Sequence, residues 1–329
     1  MRKPSTDRGG PLDTRLRGKV RCLALRTGAP LPRVCVGYSG GLDSSVLLDL
    51  LARQMRARTI SLSALHVNHG LSANADAWEA HCRAACATLA VAFTAVRIRV
   101  RRAPGESLEE QARKGRYAAF AGVDADVIAL AHHAEDQSET LLLQMLRGAG
   151  PDGLAAMAEY APMAAGPAIW RPMLDVPRAA ILRHGRDQGI AWIEDESNLD
   201  PGYRRNFVRH RIWPALVEGF AAPAVTLPRV ARLQADAARL LGELADIDLA
   251  TIASDDGLDC TGLKSLSASR QANLLRRWIS RSGARAPSEA RLLALQKAIA
   301  DSTNDTRLRW VHEDLQVIRQ RNHLIIRAV

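Results

Sequence analysis

Three groups of side chains in this sequence have the types and spacing to do chemistry. The first is Ser39-Gly40-Gly41-Leu42-Asp43-Ser44. Its glycines let the backbone approach a ligand, and the helically spaced run behind them (Val46, Leu47, Leu50, Leu51) would aim unpaired N–H groups and a positive dipole end at an anion. Ser39 and Ser44 add hydroxyl donors. The lysine of a GxxxxGK[ST] loop is missing, and Asp43 stands near the helix start instead. An acid beside phosphates repels them unless a divalent cation lies between, so Asp43 reads as a Mg²⁺ partner. The plainer alternative is a glycine turn with Asp and Ser as helix caps. The second group is His132, His133, Asp136 and Glu139, whose two acids, three apart, share a helix face. Such a pair is ordinarily solvated surface, but beside a phosphate site it would hold a cationic substrate or a second Mg²⁺. The third group is basic, with Arg113 and Arg116 on one predicted helix and Arg205 and Arg209 one turn apart on another. For the latter pair the plain reading is a surface helix whose arginine stems cover apolar atoms.

The elements that position these groups follow from periodicity. The apolar run Val34-Cys35-Val36 stops at Tyr38, which puts the Ser-Gly-Gly stretch between a strand and a helix. Residues 60–67, 93–100 and 126–131 predict three more strands, the first ending at Asn68-His69-Gly70 and the last at His132-His133. Ser72 is a cap for a helix carrying Trp78, Cys82, Cys86 and Leu89, and residues 107–110 form a capping box that opens the helix of Arg113. Strands alternating with helices imply a parallel sheet, whose ligands gather at the carboxyl ends of the strands. The glycine loop, Asn68-His69-Gly70 and His132-His133 should therefore converge.

At 329 residues and 47% hydrophobic, the chain can build two domains, each with its own core. The expected division has three parts. A basic N-terminal extension covers 1–30, with 1–14 disordered and a helix over 13–26. An α/β catalytic domain covers 31–222. A smaller, mainly helical domain covers 223–329, with a long amphipathic helix over 229–250 and one terminal hairpin. No apolar run is long enough for a membrane span, and Met1 to Gly10 lacks a signal core, which places the chain in the cytoplasm. Five cysteines without a CxxC pair disfavour a disulfide framework, and Cys82 with Cys86 fits a buried helix face. The formal charge is +10, with nine Lys/Arg against two Asp/Glu in 1–33 and six against one in 201–232. Both segments are candidates for polyanion binding.

The Ser-Gly-Gly-Leu-Asp-Ser run resembles the PP-loop of the ATP pyrophosphatases, which cleave ATP between its α and β phosphates. Between residues 39 and 209 a series of motifs in one order resembles the tRNA(Ile)-lysidine synthase family. The carrying segments are Ser39 to Ser44, His66-Val-Asn-His-Gly-Leu71, Glu110-Gln-Ala-Arg113 with Arg116-Tyr117, and Ala131-His-His-Ala-Glu-Asp-Gln-Ser-Glu139. Leu146-Arg-Gly148, Arg171-Pro172, Glu194-Asp-Glu-Ser-Asn198 and Arg205-Asn206 with Arg209 continue them. Beyond residue 225 the resemblance is mainly architectural.

That resemblance implies a two-step reaction on an isoleucine tRNA with a CAU anticodon. The C2 oxygen of the wobble cytidine attacks the ATP α-phosphate, releasing pyrophosphate and leaving an adenylated base, and the ε-amine of free L-lysine then attacks C2, expelling AMP and leaving lysidine. By the same resemblance Ser39, Gly40, Gly41, Leu42, Asp43 and Ser44 hold ATP, and Asp43 holds Mg²⁺. Asp136 and Glu139 meet lysine or metal, Arg113 faces the developing phosphate charge, and Arg205 contacts tRNA or the adenylate. The base that takes the lysine proton is not named by the sequence, and the oligomeric state stays open, a homodimer included. Longer family members continue into a further C-terminal domain, so the chain reads as a short form or a truncated one. Two rival readings stand beside this one. Another PP-loop tRNA modifier, such as a cytidine thiolase, is expected to use cysteines near the site. A non-catalytic tRNA-binding protein has no need of carboxylates facing phosphates.

Overall fold

The computed structural model describes residues 10–70, 72, 74–99, 108–194, 204–255, 257–303 and 308–329. Residues 1–9, Leu71, the start of the capping box at Ser107 and the turn after Glu194 lie outside them. The chain divides into two compact units, residues 1–232 and 233–329. The first contains α1 (Pro11–Thr27), β1 (Arg33–Gly37), α2 (Leu42–Arg56), β2 (Ser61–Asn68), α3 (Ala75–Leu89), β3 (Ala92–Arg97) and α4 (Leu108–Ala121). It continues through β4 (Val127–Ala129), α5 (Ala134–Met145), α6 (Pro151–Leu154), β5 (Tyr160–Ala161), β6 (Ala168–Trp170) and α7 (Arg178–Asp187). Next come α8 (Arg204–Phe207), a π-helical turn (Val208–Ile212), α9 (Trp213–Gly219) and the start of α10 (Pro223–Ile252).

The six-stranded sheet has the order β3-β2-β1-β4-β6-β5, parallel throughout except for the β5–β6 hairpin. β1 is central, with Val34 opposite Leu62 on one side and Val127 on the other. Being buried on both faces, its side chains divide by the two-residue period of a strand: Val34 and Val36 join a core with α1, α2 and α7, and Cys35 joins one with Phe120 of α4. From β1 the chain winds outward through β2 and β3, then returns to β4 on the other side of β1. The reversal leaves a crevice between the carboxyl ends of β1 and β4, where open α/β sheets place their ligands.

Helix α1 departs from the expected arrangement. It begins at Pro11, inside the stretch expected to be disordered, and Leu16, Val20 and Leu23 are buried in the same core as α2. Residues 11–27 are thus a layer of the first unit rather than a separate arm. Lys19 pairs with Glu159 and Asp175, and Arg15 pairs with Asp175, so part of the local basic excess is neutralised internally.

The second unit holds the remainder of α10, β7 (Ala253–Ser254), β8 (Gly257–Asp259), α11 (Cys260–Ser265), α12 (Ala268–Arg281), α13 (Glu289–Asp301), β9 (Arg309–His312), β10 (Leu315–Gln320) and β11 (His323–Ala328). Alternation predicts one terminal hairpin, whereas the strands form a five-stranded antiparallel sheet, β7-β8-β11-β10-β9. Alternation at Leu308, Trp310, Val317 and Leu324 marks its buried face, packed on Leu274, Leu275, Leu295 and Ile299. The two short strands β7 and β8 carry too few residues to announce themselves by period. Among the described residues no helix is long and apolar enough to cross a membrane.

Candidate active site

The loop after β1 is held from below. Gly40 has φ +84, and a Cβ at this position would meet Cys82 Sγ at 2.9 Å and Ile193 Cδ1 at 3.0 Å, so glycine is required both by conformation and by space. The Gly40 carbonyl accepts the Ile193 N–H at 2.9 Å and the Ser45 hydroxyl at 3.3 Å. Ser44 Oγ donates to the Gly41 carbonyl and lies 3.0 Å from Ser39 Oγ. With the carbonyls tied inward and no side chain capping α2, the first N–H groups of that helix face outward as anion donors. His66 braces the same end of the strand, its Nδ1 2.9 Å from the Tyr38 carbonyl.

This loop forms one wall of a cavity of about 540 Å³. Ser39, Gly41, Leu42, Asp43 and Ser44 line it, and Gly40 lies beneath them. Arg113 and Arg205 line it too, joined by Arg116 and by Arg178 at the start of α7. Trp78 and Trp192 supply flat apolar walls. His132 also faces the cavity; burial pushes its imidazole down to about 3, so the ring is neutral. Asn68-His69-Gly70 does not reach it. The Asn68 side chain instead turns back to the Gly70 N–H and Glu79, closing its own turn.

Asp43 is the acid of the phosphate loop itself; among the described residues Glu194 also lines the cavity. Its Oδ1 is buried without a hydrogen-bond partner, 3.9 Å from Arg178 Nε, and its Oδ2 is 3.7 Å from His133 Nε2. Burial pushes its carboxyl up, more than these cations draw it down. An orphaned carboxylate oxygen beside anion donors suits a hard cation that keeps most of its water and takes further oxygens from phosphates. A single carboxylate is enough for that arrangement; among the described residues no three acids, histidines or cysteines gather into a closed metal cage.

Asp136 and Glu139 on α5 lie behind the wall that Arg205 makes, and neither lines the cavity. Arg205 and Arg209 turn inward onto them: Arg205 Nε is 2.7 Å and Arg209 Nε 2.7 Å from Glu139, and their terminal nitrogens are 2.8 and 3.0 Å from Asp136. These arginines are therefore not the surface face that their one-turn spacing suggested. The sequence names Arg209 beside Arg205 but gives it no role of its own. The only signal was its spacing from Arg205, and nothing local told inward from outward. Asp136 also accepts the His133 backbone N–H at 3.1 Å, capping α5.

Burial alone would raise the Asp136 carboxyl, but His133, Arg205 and the other nearby cations outweigh it and hold it at about 2. A carboxyl depressed below its ordinary value stabilises the fold fully above the unfolded value near 4, and that contribution is lost as pH falls from about 4 to 2. We expect about 2 kcal/mol of pH-dependent stability from this group. Denaturant titrations between pH 6 and 2.5 should show a flatter profile for Asp136→Asn than for the wild type; parallel profiles would show that the ion pairs do not hold this carboxyl down.

A doubly wound sheet with a Ser-Gly-Gly phosphate loop and an aspartate at its switch point defines a PP-loop α/β protein, and the PP-loop domain model matches residues 16–216. The model of the TilS substrate binding domain matches residues 258–325. The tRNA(Ile)-lysidine synthase of Chromobacterium violaceum is 48% identical over 260 residues, 78% of this chain and 60% of that protein. That of Xanthomonas axonopodis pv. citri is 41% identical over 310 residues, 91% of this chain and 70% of that protein. The chain belongs to the tRNA(Ile)-lysidine synthase family, and the matched region spans 60% and 70% of the length of these two curated relatives. Among solved structures, the U34-tRNA thiolase NcsA from Methanococcus maripaludis, with its [4Fe-4S] cluster, shares the fold with a TM-score of 0.56 at 16% identity, over 68% of this chain and 78% of that one.

Proposed function

We propose that this protein is an ATP-dependent ligase that joins L-lysine to C2 of the wobble cytidine of an isoleucine tRNA with a CAU anticodon, acting on the cytoplasmic tRNA pool. The observation that carries this reading is the orphaned oxygen of Asp43, set beside outward-facing helix N–H groups at the mouth of a cavity lined by Arg113, Arg116, Arg178 and Arg205. A carboxylate in that place serves a polyphosphate only through a cation. Asp43 would hold Mg²⁺, which neutralises phosphate charge when bound. Ser39, Gly41, Leu42 and Ser44 would cradle the phosphates of ATP, and Arg113 and Arg205 would meet the charge that develops on the α-phosphate. Cytosine C2 is a poor electrophile until its oxygen joins a phosphate leaving group, so positioning the α-phosphate against that oxygen is the central task. Asp136 and Glu139 would receive the ammonium groups of lysine.

A thiolase-like reading finds less support. No cysteine lines the cavity among the described residues, and burial pushes the Cys82 and Cys86 thiols up to about 12 and about 11, away from reactivity. The direct test is incubation with ATP, Mg²⁺, labelled lysine and a panel of tRNAs. We expect AMP, pyrophosphate and lysine transfer with the CAU isoleucine tRNA alone; nucleotide turnover without lysine transfer would reject the assignment.

The loop itself gives a separate expectation. An alanine at position 40 must relieve both a positive φ and contacts to Cys82 and Ile193, at a local cost of about 1–3 kcal/mol. Gly40→Ala should weaken binding of a non-hydrolysable ATP analogue roughly tenfold in calorimetry, since each 1.4 kcal/mol is a factor of ten. Binding equal to the wild type would show that the loop does not present the phosphates.

A further inference from the structure

Every carboxylate oxygen of the acidic pair is already taken. Glu139 Oε1 accepts from Arg209 Nε, and Glu139 Oε2 accepts from Arg205 Nε at 2.7 Å and Arg209 Nη2 at 3.0 Å. Asp136 Oδ1 accepts from Arg205 Nη2 and Arg209 Nη2, and Asp136 Oδ2 accepts the His133 backbone N–H. Two acids against two guanidiniums leave the cluster formally neutral, and an incoming ammonium, which needs several acceptors at once, finds Glu139 Oε2 and Asp136 Oδ1 each holding two donors and Glu139 Oε1 and Asp136 Oδ2 each holding one. Glu139 is only 2% exposed, whereas the Arg205 and Arg209 side chains are about a third exposed. The arginines thus form the outer layer over the acids, and Arg205 opens directly onto the cavity. Arg209 belongs to a π-helical turn wedged between α8 and α9, a register that often marks functional sites.

We propose that Arg209, together with Arg205, is a placeholder cation that sets the order of substrate addition: phosphate oxygens must draw the guanidiniums off Asp136 and Glu139 before lysine can bind there. This rests on the assignment of the acidic pair to lysine. Arginine exchanges a carboxylate for a phosphate at little cost, because both offer paired anionic oxygens to its planar fork. The phosphates of the RNA backbone or of ATP have the required chemistry. A free acidic pair in the empty enzyme would instead attract any amine; the latch keeps it closed until an acceptor for lysine is present. Arg209 acts through the carboxylates and is a positioning residue.

Equilibrium dialysis of labelled L-lysine against the full chain tests this, with the wild type, Arg209→Gln and Arg209→Lys. Each is measured alone, with the CAU isoleucine tRNA, and with a non-hydrolysable ATP analogue and Mg²⁺. Wild type alone should bind lysine at least about tenfold more weakly than Arg209→Gln alone. One of the two phosphate ligands should abolish that gap by tightening the wild type and leaving Arg209→Gln unchanged, and which arm does so identifies the source. Arg209→Lys, which keeps a cation on Glu139, should follow the wild type, showing that the effect of Gln is not general loosening. Equal lysine affinity of wild type and Arg209→Gln in the absence of phosphate ligands overturns the latch while leaving the lysine subsite standing. Absence of lysine binding in every arm overturns the subsite and the latch with it.

Discussion

Asp43→Ala is expected to reduce lysidine formation by at least about a thousandfold while leaving tRNA affinity within roughly twofold, since cation-mediated stabilisation of a phosphoryl centre contributes several kcal/mol to the barrier. The fold should not suffer. The Asp43 carboxyl is pushed up by burial and has an oxygen without a hydrogen bond, so keeping it ionised costs stability. The variant, and Asp43→Asn with it, should melt at or above the wild-type temperature. Activity and stability then move in opposite directions, the pattern of a group kept for chemistry. A residue that merely capped α2 would behave otherwise, losing about 1 kcal/mol on replacement by alanine. The assay is AMP and pyrophosphate release with labelled lysine transfer, run beside filter binding of the tRNA. Unchanged lysidine formation by Asp43→Ala would sink the assignment.

The parts of this molecule that a sequence announces are those governed by local period and by special backbone needs. Val34 to Val36, followed by Ser-Gly-Gly and the helical spacing of Val46, Leu47 and Leu50, specified strand, loop and helix, and these are β1, the phosphate loop and α2. The parallel sheet followed from alternation of elements, and its switch point placed Ser39 to Ser44 and His132 beside one cavity. What remained hidden depends on contacts far apart in the chain. The pairing of Arg205 and Arg209 with Asp136 and Glu139 joins segments some 70 residues apart, and nothing in either segment's own pattern chooses between a solvated charge and a buried pair. The same holds for α1, whose Leu16, Val20 and Leu23 face was visible but whose partner was not. Arg178 was invisible for a third reason: a lone arginine at a helix start becomes informative only once α7 carries it within 3.9 Å of Asp43.

Glu139→Ala is expected to combine two effects that Asp43→Ala does not. The Glu139 carboxylate, 2% exposed, is held by two guanidiniums. Its removal leaves both arginines over a cavity with Asp136 as their only described carboxylate partner. Breaking a buried pair from one side costs about 3–5 kcal/mol. The arginines can still turn toward solvent, so we expect the lower end of that range and a fall in melting temperature of roughly 5–10 °C, as 1 kcal/mol shifts a unit of this size by about 2–4 °C. Independently, loss of an ammonium acceptor should raise the apparent Michaelis constant for lysine at least about tenfold, with a smaller change in turnover at saturating lysine. The two readouts separate scaffold from site, because destabilisation alone lowers the active fraction and therefore turnover, whereas a lost subsite contact raises the Michaelis constant. Glu139→Gln, which keeps the shape and one acceptor oxygen, should recover part of the stability and little of the lysine affinity. If both variants are less stable but show wild-type lysine kinetics, Glu139 serves only to hold Arg205 and Arg209 in place, and the lysine ammonium groups are met elsewhere.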